Sequence, residues 1–312
     1  MKIILEPGKS KNILATIAIG DEYYNSWKRY ASSGWIKYCE VNNLGLVVFD
    51  EELLSRDDEF WKKATWQKML MGETLKNSKL EVENVCFLDS DILINHKSPN
   101  VFDDYNSETI ALVSQMNNMP YVPEEAKRRL AFLRHTHYDN KYPLDSALFM
   151  SLKQIFEHHN VPVQPDYGCM GFFVFNVKNH SSVMKSWFQK YDRNVDSMTG
   201  GGDEPHINYE MQNWGKISWL DYKFQALWTY EIAIKYPFLY SFGRDNELLI
   251  RECIEASLYS NYFLHFAGSW HESNMWKIEG IFSGEKMNAE LEKYYKYLDT
   301  PVTGIPKGQI KP

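Results

Sequence analysis

Two carboxylates stand one residue apart at Asp89 and Asp91, with Ser90 between them. An apolar run, Val85 to Leu88, precedes them, and another, Ile92 to Ile94, follows. Two carboxylates this close raise each other's cost of ionisation, and neither is buried cheaply as an anion without a counter-charge. A divalent cation supplies that charge. Oxygen ligands suit Mg²⁺ or Mn²⁺, and Mg²⁺ characteristically combines one or two carboxylates with phosphate oxygens. The pattern points to a metal–diphosphate site at the end of a strand, and the plain reading beside it is an Asp-rich turn.

The element that must present these acids is a four-residue apolar run, the pattern of a strand buried in a parallel sheet, whose carboxyl end is where ligands bind in α/β proteins. A phosphatase motif of the haloacid-dehalogenase type also places two Asp residues two apart after an apolar strand. It opens its domain and continues into a Gly-Thr pair, whereas here Ile92 follows and a strand–helix region precedes.

That preceding region reads as a strand over Asn12 to Ile19, a break at Gly20 and Asp21, and a helix over Glu22 to Ser32. A strand ending at glycine lets a nucleotide approach the backbone, and Tyr24 is placed either to stack on a base or to pack on the sheet. A second strand is expected over Leu44 to Phe49 and a helix over Ala64 to Leu75. Lys68 on that helix is read as a solvated lysine or as a contact to phosphate or ribose. Thr109 to Ser114 is a further strand. From Pro120 to Asn160 two helix-like stretches, Pro123 to Arg134 and Leu144 to His159, interrupt the alternation, as an insertion that lids the cleft or binds an acceptor would. The histidines there, His135, His137, His158 and His159, are read as surface groups.

Gly168 and Gly171 leave the backbone bare before the strand Phe172 to Val177, a mark of close approach by a ligand or another segment. A helix follows over Ser181 to Tyr191. Gly200 to Gly202 then deliver Asp203 and Glu204, which are either first-turn acids favoured by the helix dipole or a mobile acidic pair over a substrate. Short strands are expected at Ile217 to Leu220 and Asn261 to His265. His265 beside Phe266-Ala267-Gly268 reads, on its own, as a core histidine.

A chain of 312 residues with 44% apolar and 15% aromatic content can fill one large α/β core. Its formal charge of −7 argues against a nucleic-acid partner. Cys39, Cys86, Cys169 and Cys253 show no Cys-x-x-Cys spacing, and with no signal peptide or membrane span in the sequence the expectation is a soluble cytoplasmic protein.

Four stretches in order resemble the GT-A glycosyltransferases, most closely family 8, the glycogenin and bacterial galactosyltransferase type. They are the strand ending at Gly20, Phe87-Leu-Asp-Ser-Asp-Ile-Leu, Gly168-Cys-Met-Gly-Phe-Phe-Val-Phe-Asn176 with Asp203-Glu-Pro-His-Ile-Asn208, and His265-Phe-Ala-Gly268. The resemblance implies an α/β GT-A fold with a mostly parallel, Rossmann-like central sheet flanked by helices. It implies one catalytic domain over residues 1–285, with the helical insertion at about 120–165, followed by a helix and tail over 286–312. The implied ligands of Mn²⁺ or Mg²⁺ are Asp89, Asp91 and His265. Ala18, Ile19, Gly20, Tyr24, Lys68, Ser90, Gly268 and His271 would border the donor nucleotide and its phosphates, and Gly168, Cys169, Met170 and Gly171 the donor sugar. Asp203 and Glu204 would face the reaction centre. The implied activity is metal-dependent hexosyl transfer from a nucleotide sugar, with UDP as the nucleotide, to a glycan, lipid or protein acceptor, with retention of configuration by front-face attack; the alternative is inversion with Asp203 or Glu204 as general base. Three departures stand out: Gly168 replaces the family's Asn, Glu204 its Gln, and His271 its phosphate-binding Lys. A sugar nucleotidyltransferase would carry a basic Gly-rich loop after the first strand, which Ala18-Ile-Gly-Asp-Glu-Tyr lacks. A nucleotide-sugar or glycan-binding module without turnover is the third reading.

Overall fold

A computed structural model describes residues 1–138, 149–199 and 202–281. The expected helix and tail over 286–312, the start of the second insertion helix, and Gly200 and Gly201 lie outside them. Met1–Ile281 forms one unit. No helix among the described residues is long and apolar enough to cross a membrane.

In chain order the elements are β1 (Lys2–Leu5), β2 (Asn12–Ile17), α1 (Asp21–Tyr30), α2 (Ser32–Asn42), β3 (Gly45–Phe49), α3 (Ala64–Gln67), α4 (Met71–Lys76), β4 (Asn84–Leu88), β5 (Ile92–Ile94) and β6 (Ile110–Val113). The second half holds α5 (Pro123–His137), α6 (Leu152–His158), β7 (Phe172–Asn176), α7 (Val177–Lys190), α8 (Val195–Thr199), α9 (Glu204–Trp214), β8 (Ile217–Leu220), β9 (Ala226–Leu227), α10 (Trp228–Lys235), α11 (Glu247–Ser260) and β10 (Phe263–His265).

Seven strands form the central sheet in the order β1-β3-β2-β4-β7-β6-β8, flanked by helices: a mixed α/β architecture of the kind the resemblance implied. Five strands run one way. β1 and β7 run against their neighbours, so β4 is parallel to β2 but antiparallel to β7. The reversal at β7 puts the Gly168–Gly171 backbone, which enters that strand, beside the carboxyl end of β4.

The core follows the two-residue period of the strands even where every residue is buried. Ile13 and Ala15, Val47 and Phe49, Val85 and Phe87, Phe173 and Phe175, and Ile110 and Leu112 share one core cluster with Trp66 and Met69, Met184 and Phe188, and Ile207 and Met211. The intervening residues turn to the opposite face. There Phe172 packs on Phe263 and Phe224, and Tyr38 of α2 on Phe263.

The expected helix over Ala64 to Leu75 is not continuous. A 3-10 turn, Lys68–Leu70, separates α3 from α4, and Lys68 on it points inward. α7 starts at Val177 rather than Ser181, because Asn176 caps it by accepting from the Asn179 N–H at 3.0 Å. A second, three-stranded sheet, β5-β10-β9, was not anticipated as a sheet. It is the device that completes the site.

Candidate active site

The chain leaves the central sheet at Leu88 and enters the small sheet at Ile92, so Asp89, Ser90 and Asp91 form the turn between two sheets. The Ile92 N–H donates to the Asp89 carbonyl at 3.2 Å, and the Asp89 N–H to the Gly171 carbonyl at 2.8 Å. β10 pairs antiparallel with β5, Phe263 opposite Ile94 and His265 opposite Ile92, and the Phe266 N–H donates to the Asp91 carbonyl at 3.2 Å. This register carries the His265 ring to the two aspartates. Its Nε2 lies 3.3 Å from Asp91 Oδ1 and 3.7 Å from Asp89 Oδ2.

His265 is 2% exposed, while 41% of the Asp89 side chain opens into a cavity. Burial alone would lower the His265 pKa. The charges of Asp91, Asp89 and Glu204 outweigh it and hold the imidazole above its ordinary value. Asp89 is raised by burial within the surrounding protein and by the charges of Asp91 and Glu204, against the pull of Lys68 and His265.

Three observations fit these residues to a divalent cation. One donor atom from each of Asp89, Asp91 and His265 lies within 4.8 Å of the others, and they are the one such group of three or more among the described residues. Asp91 Oδ1 is buried, and the contact it makes is ionic, to the His265 Nε2 at 3.3 Å. Two carboxylate oxygens and an imidazole nitrogen also make a donor set suited to Mn²⁺ or Mg²⁺. Gly171 makes room for the group: a Cβ there would stand 2.3 Å from His265 Cε1 and 2.7 Å from Asp89 Oδ2. The other face of the imidazole is held by residues that sequence reasoning did not assign to it. Its Nδ1 lies 3.3 Å from the Gln225 amide nitrogen and 3.6 Å from the Cys169 thiol, and that same amide donates to the Cys169 carbonyl at 3.1 Å. Gln225 arrives there because β9 pairs in parallel with β10, Leu227 opposite His265.

A second cluster adjoins the first. Lys68 Nζ lies 3.0 Å from Asp203 Oδ2, both side chains only 3% exposed, and donates to the Met170 carbonyl at 2.7 Å. The solvated reading of Lys68 is therefore corrected. Burial lowers its pKa, but the charges of Asp203, Asp89 and Glu204 raise it further and keep it an ammonium. Burial pushes the Asp203 carboxyl up to about 7, the charges of Glu204 and Asp89 adding to this and Lys68 opposing it. Asp203 and Glu204 open α9, yet neither serves as a plain helix cap. Glu204 accepts from the Met170 N–H at 3.1 Å and the Tyr167 hydroxyl at 3.4 Å. One turn on, Asn208 accepts from the Gly168 N–H and donates to its carbonyl, both at 2.7 Å. The glycine-bearing approach to β7 is thus strapped to α9.

The pH dependence that follows has a definite sign. The folded-state pKa of Asp203 lies above the unfolded value, so its contribution to stability is fully present below about pH 4 and is lost as pH rises through about 7. Without divalent metal, the stability of the wild type relative to Asp203→Asn should fall by about 4 kcal/mol between these limits and then level off. Urea denaturation at pH 4.5 to 8.5 reads this, and a flat difference would contradict the placement of the carboxyl.

Both clusters line one cavity of about 560 Å³. Of the residues expected at the site, Lys68, Asp89, Asp91, Cys169, Gly171, Asp203, Glu204, His265 and Gly268 border it. Gly268 does so at φ +101°, where a side chain would be strained. Ala18, Ile19, Gly20, Tyr24, Ser90, Gly168, Met170 and His271 stand outside the lining. Ala18 is buried, its N–H on the Phe49 carbonyl at 2.9 Å. The Tyr24 ring carries the Lys2 ammonium 3.8 Å from its centre, and His271 lies edge-on to Tyr138 at 6.4 Å. His159, read from sequence as a surface group, is buried at the cavity wall because α6 turns it inward. Gln115 and Tyr230 also line the cavity and had no local signal in the sequence, and Lys127, which with Arg128 and Arg129 reads from sequence as a solvated helix face, lines it too.

No protein-family model matches the chain, and no curated protein matches it. Among solved structures, the chain is similar to a glycosyltransferase involved in the glycosylation of the major capsid of PBCV-1, with 9% identity, 86% of this chain and 99% of that one covered, and a TM-score of 0.47. It is also similar to the apo structure of the WbbM bifunctional glycosyltransferase, with 12% identity, 94% of this chain covered and a TM-score of 0.42. The match spans 52% of the WbbM chain. Both scores lie below 0.5, and the functional reading is drawn from the residues of the site.

Proposed function

We propose that this chain is a metal-dependent glycosyltransferase that moves a hexosyl group from a nucleotide sugar, with UDP as the nucleotide, to an acceptor, with retention of configuration. The carrying observation is that Asp89, Asp91 and His265 converge on the cavity that Asp203 and Glu204 also line. A bound Mn²⁺ or Mg²⁺ would supply Lewis-acid stabilisation of the charge that builds on a departing diphosphate, a contribution of several kcal/mol.

The chain's own residues supply the rest. The Lys68 ammonium, fixed between Asp203 and the Met170 carbonyl, adds fixed positive charge to the cavity. Asp203 and Glu204 offer negative charge to the oxocarbenium character of the sugar carbon. Both are tied, one to Lys68 and the other to Met170 and Tyr167, which suits electrostatic stabilisation better than nucleophilic attack, so the retaining course implied by the sequence resemblance would run by front-face attack. Gly171 and Gly268 keep the walls close to the ligand's polar atoms.

Incubation with UDP-sugars and Mn²⁺, with EDTA as control, tests the reading. Slow release of UDP that EDTA abolishes is the expected result. Pyrophosphate-dependent formation of UTP would instead identify a nucleotidyltransferase, and binding without turnover a binding module.

A further inference from the structure

The cavity wall holds two further polar groups whose chemistry the transfer reaction leaves unused. Gln115 sits there, 6% exposed, just beyond β6, its N–H fixed on the Tyr167 carbonyl at 2.7 Å. Both its amide oxygen and its amide nitrogen are buried without a hydrogen-bond partner. An orphaned buried amide costs about 1–3 kcal/mol, a penalty that a ligand able to donate and accept hydrogen bonds removes. Lys127 of α5 lines the same cavity. Its Nζ donates to the Met150 carbonyl at 3.0 Å and makes no ion pair among the described residues. Met150 and Gln115's neighbour Met116 pack on one small cluster with Tyr167, which brings the segments carrying the two polar groups to one stretch of the wall. Burial holds the Lys127 ammonium below the ordinary lysine value, Glu124 pulling the other way. Every other charged group on the lining except Lys68 is an acid or a histidine, and Lys68 is committed to Asp203.

We infer that this stretch of wall is an acceptor subsite for an anionic sugar, with the Gln115 amide taking ring hydroxyls and the Lys127 ammonium taking a carboxylate or phosphate on the same ring. A vicinal hydroxyl pair offers the donor and acceptor that a carboxamide matches. A charge-assisted hydrogen bond is about twice as strong as a neutral one, so the anion is what sets this acceptor apart from an uncharged glycan. The inference rests on the glycosyl-transfer reading for the word acceptor, but the binding it describes needs no turnover.

The test is direct binding to the full chain at low ionic strength, by calorimetry and saturation-transfer NMR. The probes are methyl β-glucuronide, methyl β-glucoside and glucose 6-phosphate. The glucuronide or the phosphate should bind about tenfold tighter than the glucoside, and whichever is tighter names the anion. Lys127→Ala should erase that preference while leaving glucoside affinity unchanged, Lys127→Arg should keep it, and Gln115→Ala should weaken all three. Equal affinities for wild type, or a preference that survives Lys127→Ala, would overturn the assignment. Titration of UDP with Mn²⁺ on the same samples separates the two readings. Loss of UDP binding with retained glucuronide binding sinks the transferase reading alone, and the reverse sinks the subsite alone.

Discussion

Replacing Asp91 by asparagine is expected to lower metal-dependent UDP-sugar turnover by about 10³-fold, while the protein stays folded. The size follows from the several kcal/mol that a divalent ion contributes to a developing diphosphate charge, each 1.4 kcal/mol being tenfold in rate. Asparagine keeps the shape of the side chain but loses its charge, and it leaves His265 facing one carboxylate instead of two. Asp91 is the telling position because its Oδ1 is buried and its one ionic contact is the His265 Nε2 at 3.3 Å, so the variant acts within the metal group itself. In the absence of metal the change in stability should be small, since the relief of Asp89–Asp91 repulsion opposes the loss of the Asp91 contact to His265. Asp89→Asn should behave alike. Ordinary Mn²⁺-dependent turnover in either variant, measured as UDP release, would refute the metal role.

The second large effect concerns Lys68. Lys68→Met should destabilise the fold by about 3–5 kcal/mol at pH 8, because it strands the buried Asp203 carboxylate. For a unit of this size that is roughly a 10 °C fall in the melting temperature. At pH 5 Asp203 is already protonated, its pKa standing at about 7, and the loss should shrink. The double variant Lys68→Met with Asp203→Leu should recover much of the stability while remaining inactive, since a buried pair replaced as a whole costs little. A fall at pH 8 no larger than at pH 5 would show that the pair is not the source of the effect.

What the sequence disclosed and what it withheld divide along physical lines. Strands β2, β4 and β7 were legible because each is a short apolar run with local breaks, and the Asp pair because its spacing is itself the signal. The solvated reading of Lys68 failed because its surroundings in sequence resemble an amphipathic helix, and only the tertiary fold shows that its inward turn meets Asp203. Helix α2 was missed because Trp35, Tyr38 and Cys39 are all buried, which blurs a one-sided helical stripe. β5, β9 and β10 carry three, two and three residues, too few for a periodic pattern, so their pairing could not be read. His265 became a candidate through resemblance, while Gln225, which touches it, had nothing in its neighbourhood to announce it. Gln115 was equally silent, and Lys127 read as part of a solvated basic face, since a cavity wall gathers residues without regard to their order in the chain.

The turn at Asp89–Asp91 and the strand ending at His265 come from distant parts of the chain and meet only through a sheet three residues deep. An ion seated between them is therefore a ligand of the native state and of no partly formed one. By mass action, each tenfold rise in its free concentration above the dissociation constant adds about 1.4 kcal/mol to folding. The cation would then serve as a clasp as well as a reagent, and starvation for it would loosen the protein before it slowed the chemistry.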